Sequence, residues 1–297
     1  MRGLAEAFRG RPGPIVAATL IVLLVVYAFV LPLVTADPFS MSGMSILDAF
    51  SPPIWMDGGQ ATMPFGADDQ GRNLITAMAY GLRTSIMVGA ISVVIGLVIG
   101  GALGLVAGFV GGRTDAIIMR LADVQLAYPA LLLAMVIDGI ATAILGRGRS
   151  NEMAIAIVIV SIGIAFWVQY ARTIRSSVMV ERDQDYVAAA RVTGRSNTAI
   201  LIQHILPNVM APVLVIATIN LGIAIITEAT LSFLGIGIPP TYPSLGSLIR
   251  NGNNFLQSGE WWISVFPCLL LVALVVAVNV LGDHLRDHFN PKIRGRT

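Results

Sequence analysis

Six apolar segments, at about residues 15–35, 86–110, 116–145, 153–171, 209–235 and 263–282, are each long enough to cross a bilayer as a helix; a crossing takes roughly 20 mainly apolar residues. The chain is too poor in charge for a soluble domain, with 12% charged residues and a mean hydropathy of +0.79, where soluble domains carry about 25% charge. The expected fold is therefore all-α, a polytopic membrane protein with six transmembrane helices. Arg9 and Arg11 before the first apolar stretch and Val34-Thr35-Ala36 after it imitate a secretory signal. The 21 residues from Ile15 to Thr35 exceed the roughly 7–15 of a signal core, so the segment reads as an anchor.

An even number of spans leaves both ends on one side, and the basic residues choose which. With the N-terminal tail taken as inside, that side holds Arg2, Arg9, Arg11, Arg113, Arg120, Arg172, Arg175, Arg182, Arg191, Arg195, Arg286, Lys292, Arg294 and Arg296, and the outside holds Arg72, Arg83, Arg147, Arg149 and Arg250. Fourteen against five places both termini in the cytoplasm. Lys292 is the only lysine among nineteen basic residues, and no clustered basic face suits nucleic acid. Cys268 is the single cysteine, so this chain alone supplies neither a disulfide nor a thiolate metal site.

The outer stretch from about 36 to 85 changes character near its end. Asp68 or Asp69 can cap a helix that places Leu74, Ile75, Met78 and Leu82 on one face, a pattern suited to the membrane interface and leading into the second span. A divalent cation on the same two carboxylates is the weaker alternative. In the second span Ser92, Gly96, Gly100, Gly104, Gly108 and Gly112 recur every four residues, which lets backbones approach closely. Each step of four overshoots a turn by about 40°, so the ridge crosses one neighbour at an angle or serves two in succession; ligand contact is the rival reading. Tyr128-Pro129 is expected to kink the third span.

Between the fourth and fifth spans, residues 172–208 lie inside by the charge count and read as two short helices around Gly194. Asp183 or Asp185 can cap the first and Gly194 can end it with a left-handed residue. Ser196 can cap the second, whose Ile200, Leu201, Ile205 and Leu206 form an apolar stripe before Pro207 opens the fifth span. Three successive alanines make a thin helix that can seat in a groove on another protein.

This segment resembles the cytoplasmic coupling loop of ABC-importer permeases, a Glu-Ala-Ala, Gly, apolar-Leu-Pro pattern occupied here by Ala188-Ala189-Ala190, Gly194 and Ile205-Leu206-Pro207. Ala188 stands where the family usually has glutamate, so an ionic contact made by that glutamate would be missing. "PFGADDQGRNLITAMAYGLRTSIMVG", "DAIIMRLADVQLAYPALLLA", "EATLSFLGIGIPPTYPSLGSLI" and "WWISVFPCLLLVALVVAVNVLGDHLRDHFNP" resemble, in order, segments of the C-type permease of dipeptide, oligopeptide and nickel importers. The resemblance implies the type I importer permease fold in the bacterial inner membrane. It divides the chain into an N-terminal tail, first span and outer segment (1–85), a permease core of five spans with coupling loop 172–208 (86–283), and a cytoplasmic tail (284–297). It further implies a heterodimer with a homologous B-type permease, two cytoplasmic ATPases and an external solute-binding protein. ATP and Mg would sit on the ATPases, with no cofactor, metal or catalytic residue here. Tyr186, Ala188, Ala189, Ala190, Arg191, Gly194, Ile205, Leu206 and Pro207 would meet or shape the ATPase contact. The sequence contains no G-x-x-x-x-G-K-[ST] phosphate-binding loop of its own.

Polar residues at membrane depth are costly and default to functional candidates. Asp138, Asn220 and Glu228 are candidates for the translocation pathway, with helix packing or interfacial solvation as the competing reading. Asn220 and Asn279 equally suit interhelical hydrogen bonding. His284 and His288, with Asp283 and Asp287, fit a solvated C-terminal helix better than a metal site, and His204 carries no assigned chemistry. Gly235, Gly237, Pro239, Pro240 and Pro243 break the chain outside the fifth span, in a loop that could dock the external protein, and Trp261-Trp262 resemble an interfacial belt. Peptides are the expected cargo, with nickel chelates or opines as alternatives. An ion-coupled secondary transporter is the competing class, and few paired buried charges support it.

Overall fold

The computed structural model describes residues 12–40, 43–146, 150–239 and 242–289. The N-terminal arginines, Arg147, Arg149, Pro240, Lys292, Arg294, Arg296 and the side chain of His288 lie outside the described residues. Nine helices are labelled in chain order: α1 (Pro12–Val34), α2 (Leu74–Val110), α3 (Gly112–Leu126), α4 (Ala130–Leu145), α5 (Asn151–Glu181), α6 (Asp185–Val192), α7 (Asn197–Phe233), α8 (Leu245–Asn253) and α9 (Trp262–Phe289). Among the described residues the only extended pairing is an isolated bridge between Ala67 and Asn73. Among the described residues five helices are long and apolar enough to span, and six if α3 and α4 together make one broken span.

That third crossing differs from the expected kinked helix: α3 and α4 meet at 92°. Pro129 adopts φ −57°, ψ 133°, and it has no N–H with which to continue the ladder. The charges complete the explanation. Asp115 forms a two-pronged ion pair with Arg175, one arm at 2.6 Å, and Asp123 pairs with Arg172. Gln125 donates to the Ile164 carbonyl at 2.7 Å and accepts from the Trp167 indole at 2.6 Å. These contacts lay α3 along the lower part of α5, and the apolar α4 packs higher on that helix through Ala134.

The segment expected to lie in the interface is the first part of α2, which runs unbroken for 37 residues, about 55 Å at 1.5 Å per residue. Its cap is Asn73, whose side chain accepts from Ile75 N. Asp68 instead ties the preceding loop, accepting from the backbone N–H groups of Gln70 and Arg72 at 2.9 Å each. Asp69 accepts from the Asn251 amide at 2.5 Å.

The small-residue ridge meets one neighbour throughout. Ser92 donates to the Ile159 carbonyl at 3.1 Å. A Cβ on Gly96, Gly100, Gly104 or Gly108 would lie 3.1, 2.1, 2.5 or 2.8 Å from the carbonyl oxygens of Gly163, Trp167, Ala171 and Arg175. Both helices advance by four at every step, so α2 and α5 run parallel. A repeat of four, longer than the 3.6-residue turn, coils such a pair in the right-handed sense. Gly112 falls outside the ridge, because at φ +58° it begins α3.

α1 is apolar on all sides and packs on α2 and α9 through Leu24 and Ala28. Trp262, expected in an interfacial belt, is 5% exposed, and its indole donates to the Ala67 carbonyl at 3.1 Å. It fastens the loop before α2 to the start of α9.

Candidate coupling surface and buried polar node

α5 continues some ten residues beyond its apolar segment, to Glu181, as a polar helix. Arg182 then donates to the Gly108 carbonyl at 2.8 Å, which holds the loop to the C-terminal end of α2. The cap of α6 is Gln184, with no side-chain hydrogen bond, so neither Asp183 nor Asp185 caps it. Asp185 lies in the first turn, where a carboxylate favours the helix dipole, and Asp183 sits 3.6 Å from Arg182.

α6 divides its alanines between two faces. Val187 and Ala190 are buried against a cluster that includes Ile200, Ile205 and Val209. Ala188, Ala189 and Arg191 face outward, and Val192 is 89% exposed. Gly194 ends the helix at φ +76°, with Arg195 N donating back to the Ala190 carbonyl at 3.2 Å. Ser196 caps the next helix by accepting from Ala199 N at 3.3 Å. Both turns therefore form where the sequence places them.

Pro207 does more than open the fifth span. Residues Leu201–Ile205 form a π turn, with Leu206 N donating to the Leu201 carbonyl, and this wider turn absorbs the N–H missing at Pro207. α7 consequently runs from the loop into the membrane for 37 residues, bearing Ile205 inward and Leu206 half-buried.

Tyr186 ties the two ends of the loop together. Its hydroxyl donates to Glu181 at the end of α5 and accepts from the Asn208 amide at 3.1 Å near the start of the span in α7. Burial and the neighbouring Glu181 carboxylate raise its phenol above the ordinary value, which keeps it a donor. Sequence reasoning missed Glu181 and Asn208, although Asn208 directly follows the motif proline.

Glu228 is fully buried where α2, α7 and α8 meet. It accepts from Ser85 Oγ at 2.6 Å and from Ser232 Oγ at 2.7 Å. Ser85 in turn accepts from Leu245 N at 3.2 Å, at the start of α8, where Ser244 and Ser247 form a reciprocal capping box. Asn220 is 1% exposed, and the Tyr170 hydroxyl of α5 faces it. Asp138 is buried on α4, with Thr142 donating to its backbone carbonyl at 2.8 Å. Asn220 and Glu228 are separated by eight residues of helix, about 12 Å, and Asp138 lies on α4.

Asn279 lies against the backbone of α7, where a Cβ on Gly222 would meet its Oδ1 at 2.7 Å. The helix bearing His284 continues the sixth span; His284 is 7% exposed, whereas Asp283, Arg286 and Asp287 are exposed. No group of three or more His, Cys, Asp or Glu gathers as a metal site among the described residues.

An exposed loop thus joins two long apolar helices, α5 and α7. The fold resembles that of a chain in inward-facing structures of the MetNI methionine ABC transporter, with a TM-score of 0.57 and 18% identity, over 71% of this chain and 96% of that one. Residues 100–295 match the family described as binding-protein-dependent transport system inner membrane component, and the chain belongs to that family. It is 41% identical over 244 residues to the di/tripeptide transport system permease protein DppC of Pseudomonas aeruginosa, covering 82% of this chain and 77% of that protein. Identity is 34% with the dipeptide transport system permease protein DppC of Haemophilus influenzae, over 97% and 93% of the two chains. It is 33% with the oligopeptide transport system permease protein OppC of Bacillus subtilis, over 97% and 88%. The protein is thus a transport subunit and not an enzyme.

Proposed function

We propose that this chain forms half of the translocation pathway of a peptide importer, pairing with a homologous B-type permease in the cytoplasmic membrane of a bacterium, with both termini inside. Two cytoplasmic ATPases hold ATP and Mg, and an external solute-binding protein delivers the peptide. The observation that carries this reading is the exposed face of α6, with Ala188, Ala189, Arg191 and Val192 outward on a loop joined to α5 and α7. Such a face fits a groove on an ATPase, whose two nucleotide states then bias the attached helices between two arrangements. The identity with peptide permeases supports the cargo. Purification through a tag on this chain in mild detergent, followed by mass spectrometry, is expected to return a second permease and two ATPase subunits. Recovery of the chain alone, with transport on an ion gradient, would establish a secondary transporter instead.

Glu228 and Asn220 are proposed to set the packing that the pathway depends on, and Asp138 to contribute to it from α4. Glu228→Gln keeps a carbonyl acceptor, and the hydroxyls of Ser85 and Ser232 can rotate to meet the new amide, so the complex should assemble. Uptake should fall about tenfold, the scale of one buried hydrogen bond weakened. Wild-type uptake by a correctly assembled variant would remove Glu228 from the mechanism.

A further inference from the structure

A cavity of about 220 Å³ opens beside the outer third of α2, far from the coupling loop; Thr84 and Pro243 in its wall adjoin Ser85 and Ser244 of the Glu228 node. Asp37, Tyr80 and Arg83 lie at its polar end, and Met87, Ile91 and Ile159 form its apolar floor. The polarity changes with height. From Val110 at the cytoplasmic end of α2, Arg83 is 27 residues away, about 40 Å. That distance exceeds the roughly 30 Å hydrocarbon core and reaches the headgroup zone of the leaflet opposite the coupling loop. Met87 and Ile91 fall below that zone. Val94 and Val98, 55% and 63% exposed, continue the apolar stripe toward the bilayer centre.

The rim is charged in two senses. The Arg83 guanidinium rests 5.7 Å from the centre of the Phe29 ring, a contact that orients it. Asp37 and Arg83 line the same cavity wall as Tyr80, whose hydroxyl donates to the Pro32 carbonyl at 3.4 Å. A positive and a negative group at headgroup height, above an apolar channel along one helix face, complement an amphiphile with a zwitterionic head.

We propose that this cavity seats one phospholipid of the leaflet opposite the coupling loop, with its phosphate on Arg83, its amine facing Asp37, and an acyl chain along Met87, Ile91, Val94 and Val98. The site holds a lipid against the α2–α5 pair at the outer edge of the permease. Phosphatidylethanolamine carries the required charges, and it is the probe.

The test is quantitative lipid extraction and native mass spectrometry of the tagged complex after a delipidating detergent wash. Wild type should retain about one phosphatidylethanolamine per copy of this chain. Arg83→Gln should lower retention about tenfold, in line with the loss of a charge-assisted contact to phosphate. Ile91→Trp obstructs the floor without touching a charge and should lower it similarly, which separates lipid loss from any loosening of α1 at Phe29. Equal retention in wild type and both variants would overturn the proposal. Displacement of the lipid from wild type by excess zwitterionic dipeptide would overturn it as well, by assigning the cavity to cargo.

Discussion

Gly100→Ala should remove most of the folded permease from the membrane. The added Cβ would lie 2.1 Å from the Trp167 carbonyl oxygen and 2.8 Å from the Tyr170 Cβ, and both of those neighbours are anchored in a helix. Relief requires α2 and α5 to separate, and separation at one step of the ridge disturbs the contacts at Gly96 and Gly104. Overpacking of this kind costs about 1–3 kcal/mol even where side chains can adjust; here the obstacle is backbone, so the upper end is expected. Gly101→Ala is the control, because its Cβ would meet Ile174 Cδ1 at an ordinary 3.6 Å. Thermal unfolding in detergent, together with the yield of assembled complex, should show a large loss for the first variant and near-wild-type behaviour for the second. Equal stability of the two would mean that α2 and α5 are not held by backbone contact.

Gly194→Val should uncouple ATP hydrolysis from transport while leaving the spans assembled. Nothing lies within 4 Å of a Cβ at this position, so the effect comes from the backbone alone. At φ +76° a β-branched residue is strained, by about 1–3 kcal/mol. The strain is relieved by turning the end of α6 away from Ser196, which moves Ala188, Ala189 and Val192 out of register with α7. Substrate-stimulated ATP hydrolysis in the purified complex should fall about tenfold or more, the equivalent of some 1.4 kcal/mol. Gly194→Asn should be much milder, because asparagine visits the left-handed region readily. Unchanged stimulation in the valine variant would show that the geometry of this turn is irrelevant to coupling.

What the sequence made legible was local or one-dimensional. Apolar length alone announces a span, and the positions of Gly194 and Ser196 dictate their turns through their own chemistry. The four-residue ridge was visible because one helix carries it; its partner was not, because Gly163, Trp167, Ala171 and Arg175 share only their backbone carbonyls as a feature. Helix ends past the apolar segments were hidden, since α5 continues as a polar helix after hydropathy has fallen. The third crossing misled because its charges pair with α5, more than forty residues away, and hold the lower half aside. Glu228 was conspicuous, yet its partner Ser85 lies 143 residues earlier, and no short-range pattern connects them.

The parallel seam between α2 and α5 also limits how the molecule can move. Two rods in backbone contact over four successive steps have almost no freedom to slide or hinge, so they travel as a single plate. Flexibility is left to the joints that lack such a seam: the right-angled break before α4 and the π turn below Pro207. Beyond that turn α7 runs 28 residues from Leu206 to Phe233, about 42 Å, so a tilt of about 10° at the lower joint swings its far end through roughly 7 Å. Because Glu228 bolts that end to α8 and to the plate, the swing is not free, and the outer rim must rotate as a body with it.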